Sequence, residues 1–279
     1  MGAVSFSLDI RLVEQLKKVL PLDVFVETGT FKGDTIQSVL PFFRKLVTVE
    51  LSPQLWKDAA ARFAGESRVE VLLGSSPEFL SAVDHDASVL FWLDAHWCIA
   101  ENTSGEHSQC PLLDEIRAIG RLAEHSVLLI DDARLFLAPP PEPHDVAQWP
   151  TFEQIDRALR ELSSRHELMI VNDIIAFFPA SVRESVIAYA RRCGVDWLKI
   201  VQNGQSVEEC FFNIRRVFNE NQQINETLRA INGISMPQLL EACDQTRKAA
   251  EKLLSQNSRR PFRRLSESIR SLKRRFRPK

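Results

Sequence analysis

No stretch of the chain approaches the ~18 apolar residues that a membrane-spanning helix needs, so no such helix is expected. The start, Met1-Gly2-Ala3-Val4-Ser5-Phe6, lacks the basic residues and apolar core of a secretory signal, and it lacks the Ser or Thr that a myristoylation signal wants at position 6. Cysteine is sparse and odd in number. Cys98, Cys110, Cys193, Cys210 and Cys243 are scattered, which is no disulfide framework and points to a reducing, cytoplasmic setting. The dinucleotide signature Gly-x-Gly-x-x-Gly is missing, which weighs against a nicotinamide cofactor. What remains is an ordinary globular composition, 44% hydrophobic and 26% charged over 279 residues, which rules out a wholly disordered chain.

The net charge of −2 hides an asymmetry. Residues 259–279 hold ten Lys/Arg and one acid, Glu267, for a net +9, so the remainder carries −11. Phe262, Leu265, Ile269, Leu272 and Phe276 form one apolar stripe along this basic tail. Such a helix suits the inner face of an anionic membrane; a solvated tail, or a helix docked on the acidic body, is the plainer alternative. No nucleic-acid reader motif accompanies the charge, and no nucleic-acid partner is expected.

Between 23 and 179, apolar runs alternate with amphipathic stretches. Strands are expected over 23–27, 45–50, 69–73, 89–93, 127–130, 168–171 and 174–178, the last two joined as a hairpin by Asn172-Asp173. Helices are expected over 33–43, 53–64, 77–83, 112–123, 152–162 and 181–193. The strands are apolar throughout rather than alternating, as a parallel sheet covered on both faces requires. The fold class is therefore α/β, a doubly wound, mostly parallel, seven-stranded sheet ending in an antiparallel hairpin, with a helical C-terminal extension. The proline-rich insertion over 136–150 is read as a lid or substrate loop, neither helix nor central strand. The domain expectation is 1–180 for the sheet domain, 181–257 for the extension and 258–279 for the tail. From Ile214, apolar residues step as a short heptad seam through Val217, Ile224, Leu228 and Ile231, with Asn221 at an a-type site. This is either an oligomerising coil or an amphipathic helix on the domain's own surface.

Strand one ends in Glu27-Thr28-Gly29-Thr30-Phe31-Lys32-Gly33, and strand two in Glu50. Glycines let the turn approach a ligand closely. An acid at the tip of strand two suits the two hydroxyls of a ribose. A carboxylate tipping strand one is a poor neighbour for a pyrophosphate but a good one for a cation such as a sulfonium. Strands four and five run into Asp94-Ala95-His96-Trp97 and Asp131-Asp132. Three carboxylates converging there repel one another unless a cation intervenes, and carboxylate oxygens suit Mg²⁺. His96 shares a side with Asp94 and suits general-base work. Trp97 and Trp149, on loops, suit stacking against a sugar ring. Cys98, His107 and Cys110 lack the tight C-x-x-C pair of a zinc site, so their segment is read as an active-site loop. Asp114-Glu115 is attributed to the dipole of the helix it opens.

Glu27-x-Gly29-x-x-x-Gly33, followed by Val49-Glu50-Leu51-Ser52, resembles the first two motifs of class I S-adenosylmethionine-dependent methyltransferases, and the resemblance runs over 23–179. The spacing is more like that of sugar O-methyltransferases. The acids after strands four and five resemble those of metal-dependent members, from catechol-type enzymes to macrolide and aminocoumarin sugar methylases. The resemblance implies that Glu27, Gly29, Thr30, Gly33, Glu50 and Ser75 hold S-adenosylmethionine. It implies Asp94, Asp131 and Asp132 as ligands of Mg²⁺, His96 as the base, and a saccharide or glycolipid acceptor, in a homo-oligomer at or near a membrane surface. Two departures stand out: Thr30 and Phe31 replace the glycine-dense centre of the commonest motif, and Gly74-Ser75-Ser76 offers hydroxyls where many members place an acid for adenine. A metal-independent methyltransferase, in which the carboxylates bind substrate hydroxyls directly, and a non-catalytic assembly protein on the same scaffold are the alternatives.

Overall fold

The computed structural model describes residues 8–84, 86–98 and 108–194. The chain opens with α1 (Ile10–Lys17), capped by the Asp9 carboxylate, which accepts the Arg11 N–H at 3.0 Å. Alternating units follow: β1 (Val24–Thr28), α2 (Asp34–Val39), β2 (Lys45–Glu50), α3 (Pro53–Phe63), β3 (Val69–Leu73), α4 (Ser76–Ser81), β4 (Val89–Leu93), α5 (Leu112–Ile119) and β5 (Val127–Ile130). The chain continues through α6 (Arg134–Leu137), α7 (Phe152–Leu162), β6 (His166–Val171), β7 (Ile174–Pro179) and α8 (Arg183–Cys193).

The seven strands form one sheet in the order β3-β2-β1-β4-β5-β7-β6. All neighbours are parallel except where β7 runs antiparallel to β5 and β6. This is the doubly wound sheet with a terminal hairpin that the apolar runs imply. Every residue of β4, β5 and β7 is buried, which explains why these runs do not alternate. Successive side chains point to opposite faces. Phe25, Leu46, Leu90, Trp92 and Leu129 enter one core, with side chains of α1, α2, α3 and α8. Val26, Phe91, Leu93, Leu128 and Ile130 enter the other, with α4, α5 and α7. The strand order reverses between β1 and β4. In such sheets the crevice at the carboxyl ends of the two strands flanking that reversal is where ligands bind.

The structure departs from expectation at a few ends. Helix α1 was not foreseen. Helix α5 stops at Ile119 because Gly120 turns to φ 67°. Strand β6 begins two residues early, at His166, whose ring stacks on Phe177 and lies 2.9 Å from the Ser126 carbonyl oxygen. The insertion contains a 3-10 turn, Val146–Gln148, and begins inside α6. Helix α8, just past the expected boundary at 180, adds Val186, Tyr189 and Cys193 to the first core. The heptad seam, the rest of the 181–257 extension and the 258–279 tail lie outside the described residues. Among the described residues, no helix is long and apolar enough to cross a membrane.

Candidate functional site

The tips of β1 and β2 are locked together by buried polar bonds. The Thr48 hydroxyl donates to Glu27 at 2.7 Å and lies 2.6 Å from the Thr30 hydroxyl. Glu27 is 1% exposed, and burial pushes its carboxyl up to about 8, against the opposing pull of the Thr48 and Thr35 hydroxyls. Glu50 accepts the Phe31 N–H at 2.8 Å on one oxygen and the Ser52 N–H at 2.9 Å on the other. Each oxygen keeps a second lone pair for a ligand hydroxyl. The turn between β1 and α2 takes positive φ at Gly29, Phe31 and Gly33.

Both glycines are required by packing of the chain on itself. A Cβ at Gly29 would lie 2.3 Å from the Asp94 carbonyl oxygen, and one at Gly33 would lie 2.6 Å from the Phe63 ring. Phe31, Leu51 and Leu73, at the tips of β1, β2 and β3, are 36%, 54% and 48% exposed. Glu50 and Leu73 are register partners, so Leu51 and Leu73 are neighbours at the rim of the crevice. Ser75 caps α4 at the same rim without bonding the helix through its side chain.

Leu93 pairs with Ile130, so Asp94 and Asp131 leave adjacent strands side by side. The backbone N–H of Asp94 donates to the Thr28 carbonyl at 3.1 Å, tying β4's end to β1. His96 stands between two acids. Its Nε2 is 3.0 Å from Asp132 Oδ2, and its Nδ1 is 3.8 Å from Asp94 Oδ1. Asp132, at φ 55°, also accepts from Arg134 Nη1 at 2.6 Å, and Arg134 in turn pairs with Asp173. Burial raises the Asp132 carboxyl, but the His96 and Arg134 bonds outweigh it and hold the group well below the usual range. Ionised, Asp132 only accepts, so Nε2 carries a hydrogen, and Nδ1 faces Asp94. Burial, reinforced by Asp131 and Asp132, pushes Asp94 well above its ordinary value. Burial also pushes Asp131 up to about 6.

The expected carboxylate set for Mg²⁺ is corrected on this geometry. Asp94, Asp131 and Asp132 do converge at the tips of β4 and β5. Yet among the described residues no three His, Cys, Asp or Glu side chains are placed to hold a metal ion. Both oxygens of Asp132 are engaged by His96 and Arg134, and Asp131 Oδ1 accepts the Asp132 N–H at 2.8 Å. The residues present do not fit a divalent ion.

Aromatic rings wall the site from the insertion side. Trp149 meets His96 at 5.5 Å, Phe136 at 5.7 Å and His144 at 5.1 Å, and His144 meets Trp97 at 5.4 Å. One side chain that the sequence did not mark, Gln109, staples this wall. Its Oε1 accepts Trp149 Nε1–H at 3.0 Å and the Asp145 N–H at 2.8 Å, while its carbonyl accepts the Trp97 N–H at 2.7 Å. Glu115, attributed to a helix dipole, is instead 1% exposed and bonded by the Ser76 and Thr28 hydroxyls. Burial raises its pKa, and its Oε1 has no hydrogen-bond partner among the described residues. Cys98 is exposed and Cys110 half-buried, while His107 lies outside the described residues.

No family description and no curated protein matches the chain. Among solved structures, it is similar to CalS10 with S-adenosylmethionine bound, an amino pentose methyltransferase of Micromonospora echinaspora involved in calicheamicin biosynthesis. Identity is 13% over 61% of this chain and 89% of that one, with a TM-score of 0.43. SMU.1697c of Streptococcus mutans, in complex with S-adenosylhomocysteine, is 14% identical over 61% and 97%, with a TM-score of 0.43. The N-methyltransferase NodS of Bradyrhizobium japonicum WM9 is 11% identical over 61% and 93%, with a TM-score of 0.40.

Proposed function

We propose that the chain is an S-adenosylmethionine-dependent O-methyltransferase acting on a saccharide hydroxyl. The observation that carries this reading is the meeting of two acid sets across the strand-order reversal, Glu27 and Glu50 on one side and Asp94, His96 and Asp132 on the other. Glu27 is a buried carboxyl that a cationic ligand would draw into its ionised form. Glu50 offers its remaining lone pairs to ribose hydroxyls, and exposed Phe31, Leu51 and Leu73 offer an apolar seat for an adenine ring. The sulfonium supplies an electrophilic methyl group when bound.

The chain's own residues then place and deprotonate the acceptor. The 3.8 Å gap between His96 Nδ1 and Asp94 Oδ1 admits an oxygen about 2.8 Å from each. Asp94, 29% exposed at its side chain, meets the incoming hydroxyl. His96 Nδ1 accepts the hydroxyl proton as general base, and ionised Asp132 offsets the positive charge that forms on the imidazole. The deprotonated oxygen would be the acceptor of the methyl group that a bound sulfonium supplies, and the proton stays on His96 until it leaves to solvent. No metal takes part in these steps. Half-buried Trp97 and His144, backed by buried Trp149, support a sugar acceptor, since aromatic faces suit the C–H faces of sugar rings. The composition of 259–279 extends the proposal to an acceptor carried at an anionic membrane surface, such as a bacterial glycolipid or surface polysaccharide precursor. Incubation with labelled methyl donor and candidate sugar-lipid extracts tests it. Label should appear in a saccharide product, whereas label confined to protein or nucleic acid would contradict the acceptor class.

A further inference from the structure

The acids at the tips of β4 and β5 need a cation, and the chain itself supplies one. Asp94, Asp131 and Asp132 are gathered there with Asp173 behind them, and the guanidinium of Arg134 pairs with Asp132 and Asp173. Arg134 Nη1 lies 2.6 Å from Asp132 Oδ1 and also pairs with Asp173. Arg134 is anchored by more than its head group. Its backbone N–H donates to Asp173 Oδ1 at 2.7 Å, and the N–H of neighbouring Ala133 donates to the Asp173 carbonyl at 2.8 Å.

The two turns that meet here are both unusual. Asp132 at φ 55° and Asn172-Asp173 at 52° and 70° are non-glycine residues in the left-handed region, each held by the other's bonds. Asp173 is 7% exposed at its side chain, so its charge is largely removed from water and directed at Arg134. A Mg²⁺ on Asp132 Oδ1 would lie about 2.1 Å from that oxygen. The guanidinium nitrogen already occupies the same oxygen, and the other oxygen is taken by His96.

We propose that Arg134 is the resident cation of this acid cluster, a positioning residue that holds Asp132 toward His96 and, while it is paired with Asp132 and Asp173, keeps divalent ions out. The inference rests on the placement of Asp132, Arg134 and Asp173 and not on the identity of the methyl donor. Its test therefore contains neither donor nor acceptor, and it can fail without touching the methyltransferase reading.

The experiment is titration of the full chain with Mn²⁺, followed by the loss of the free-ion electron paramagnetic resonance signal. The wild-type chain should leave the signal unchanged. Arg134→Met, which frees Asp132 Oδ1 and uncovers the negative charge, should bind one Mn²⁺ per chain at least about tenfold more tightly than wild type. Adding Asp131→Asn should abolish that binding. Stoichiometric Mn²⁺ binding by wild type, lost in Asp131→Asn, would overturn the proposal, because the cluster would then hold an ion with Arg134 in place. Absence of binding in both wild type and Arg134→Met would overturn it equally, because Arg134 would not be what excludes the ion. If Arg134→Met loses its cooperative melt, Arg134→Gln, which also removes the guanidinium charge but keeps a polar side chain, gives the same comparison.

Discussion

Gly29 and Asp94 touch backbone to backbone: a single added Cβ on the glycine would lie 2.3 Å from the Asp94 carbonyl oxygen. This contact joins the end of β1 to the end of β4 at the reversal of strand order, and so fixes how far apart the two acid sets stand. Gly29→Ala must also place a side chain at φ 81°. The combined cost is about 2–4 kcal/mol. Denaturant unfolding should show a lowered midpoint with an unchanged slope. An unshifted midpoint would mean that the contact is loose.

Glu27 gives stability a pH dependence whose sign follows from its burial. Its folded value of about 8 lies above the ordinary 4.5, so the folded state holds the proton more tightly than the unfolded chain does. The associated stability is therefore present below about 4.5 and is lost as pH rises through 8. The shift corresponds to something on the order of 5 kcal/mol. Glu27→Gln keeps an acceptor for the Thr48 hydroxyl and removes the charge. The difference in stability between the variant and wild type should grow in the variant's favour from pH 5 to pH 8. A difference that is flat across that window would contradict the burial argument.

His96 and Asp94 are expected to act on the acceptor and not on the donor. His96→Gln should lower turnover by about 10²–10⁴-fold, the usual contribution of a positioned general base. Asp94→Asn should lower it as well. Both variants should bind S-adenosylhomocysteine within about threefold of wild type. Loss of cofactor affinity in either variant would move it into the donor site. Because no step passes through a metal, excess EDTA should leave turnover unchanged.

Gln109 should be the residue that keeps the aromatic wall in place. Gln109→Leu removes the acceptor for Trp149 Nε1–H and the Asp145 N–H, at a cost of about 1–3 kcal/mol for the groups left unpaired. Tryptophan emission should shift to the red as Trp149, now 7% exposed, gains water. Gln109→Glu retains the accepting oxygen and should restore the wild-type spectrum. A red shift in both variants would show that the oxygen is not what matters.

The sheet was legible because its strands are buried on both faces. Runs such as Val89–Leu93 and Val127–Ile130 are apolar from end to end, and each is the length of one strand. Glu27, Glu50, Asp94, His96, Asp131 and Asp132 were legible as candidates because a polar residue ending such a run must lie at the sheet's ligand end. Their bonds were not. Nothing in the order of residues marks Arg134 as the partner of both Asp132 and Asp173, since that pairing needs two left-handed turns to meet. Gln109 is one polar loop residue among several. Glu115 carries a sufficient local explanation as a helix-opening acid, and only its burial against Thr28 and Ser76 sets it apart. The glycines were found for an incomplete reason: Gly33 makes room for Phe63, a neighbour 30 positions away that no local pattern reveals.

Calorimetric titration of the full chain with S-adenosylmethionine, in buffers of different ionisation enthalpy, puts the donor site to the most direct test. One molecule should bind per chain, with protons released near pH 7 as the sulfonium draws Glu27 into its ionised form. Glu50→Gln should weaken binding by about 10–100-fold, the equivalent of one or two lost charge-assisted hydrogen bonds. Absence of binding, or binding that neither releases protons nor responds to Glu50→Gln, would contradict the assignment.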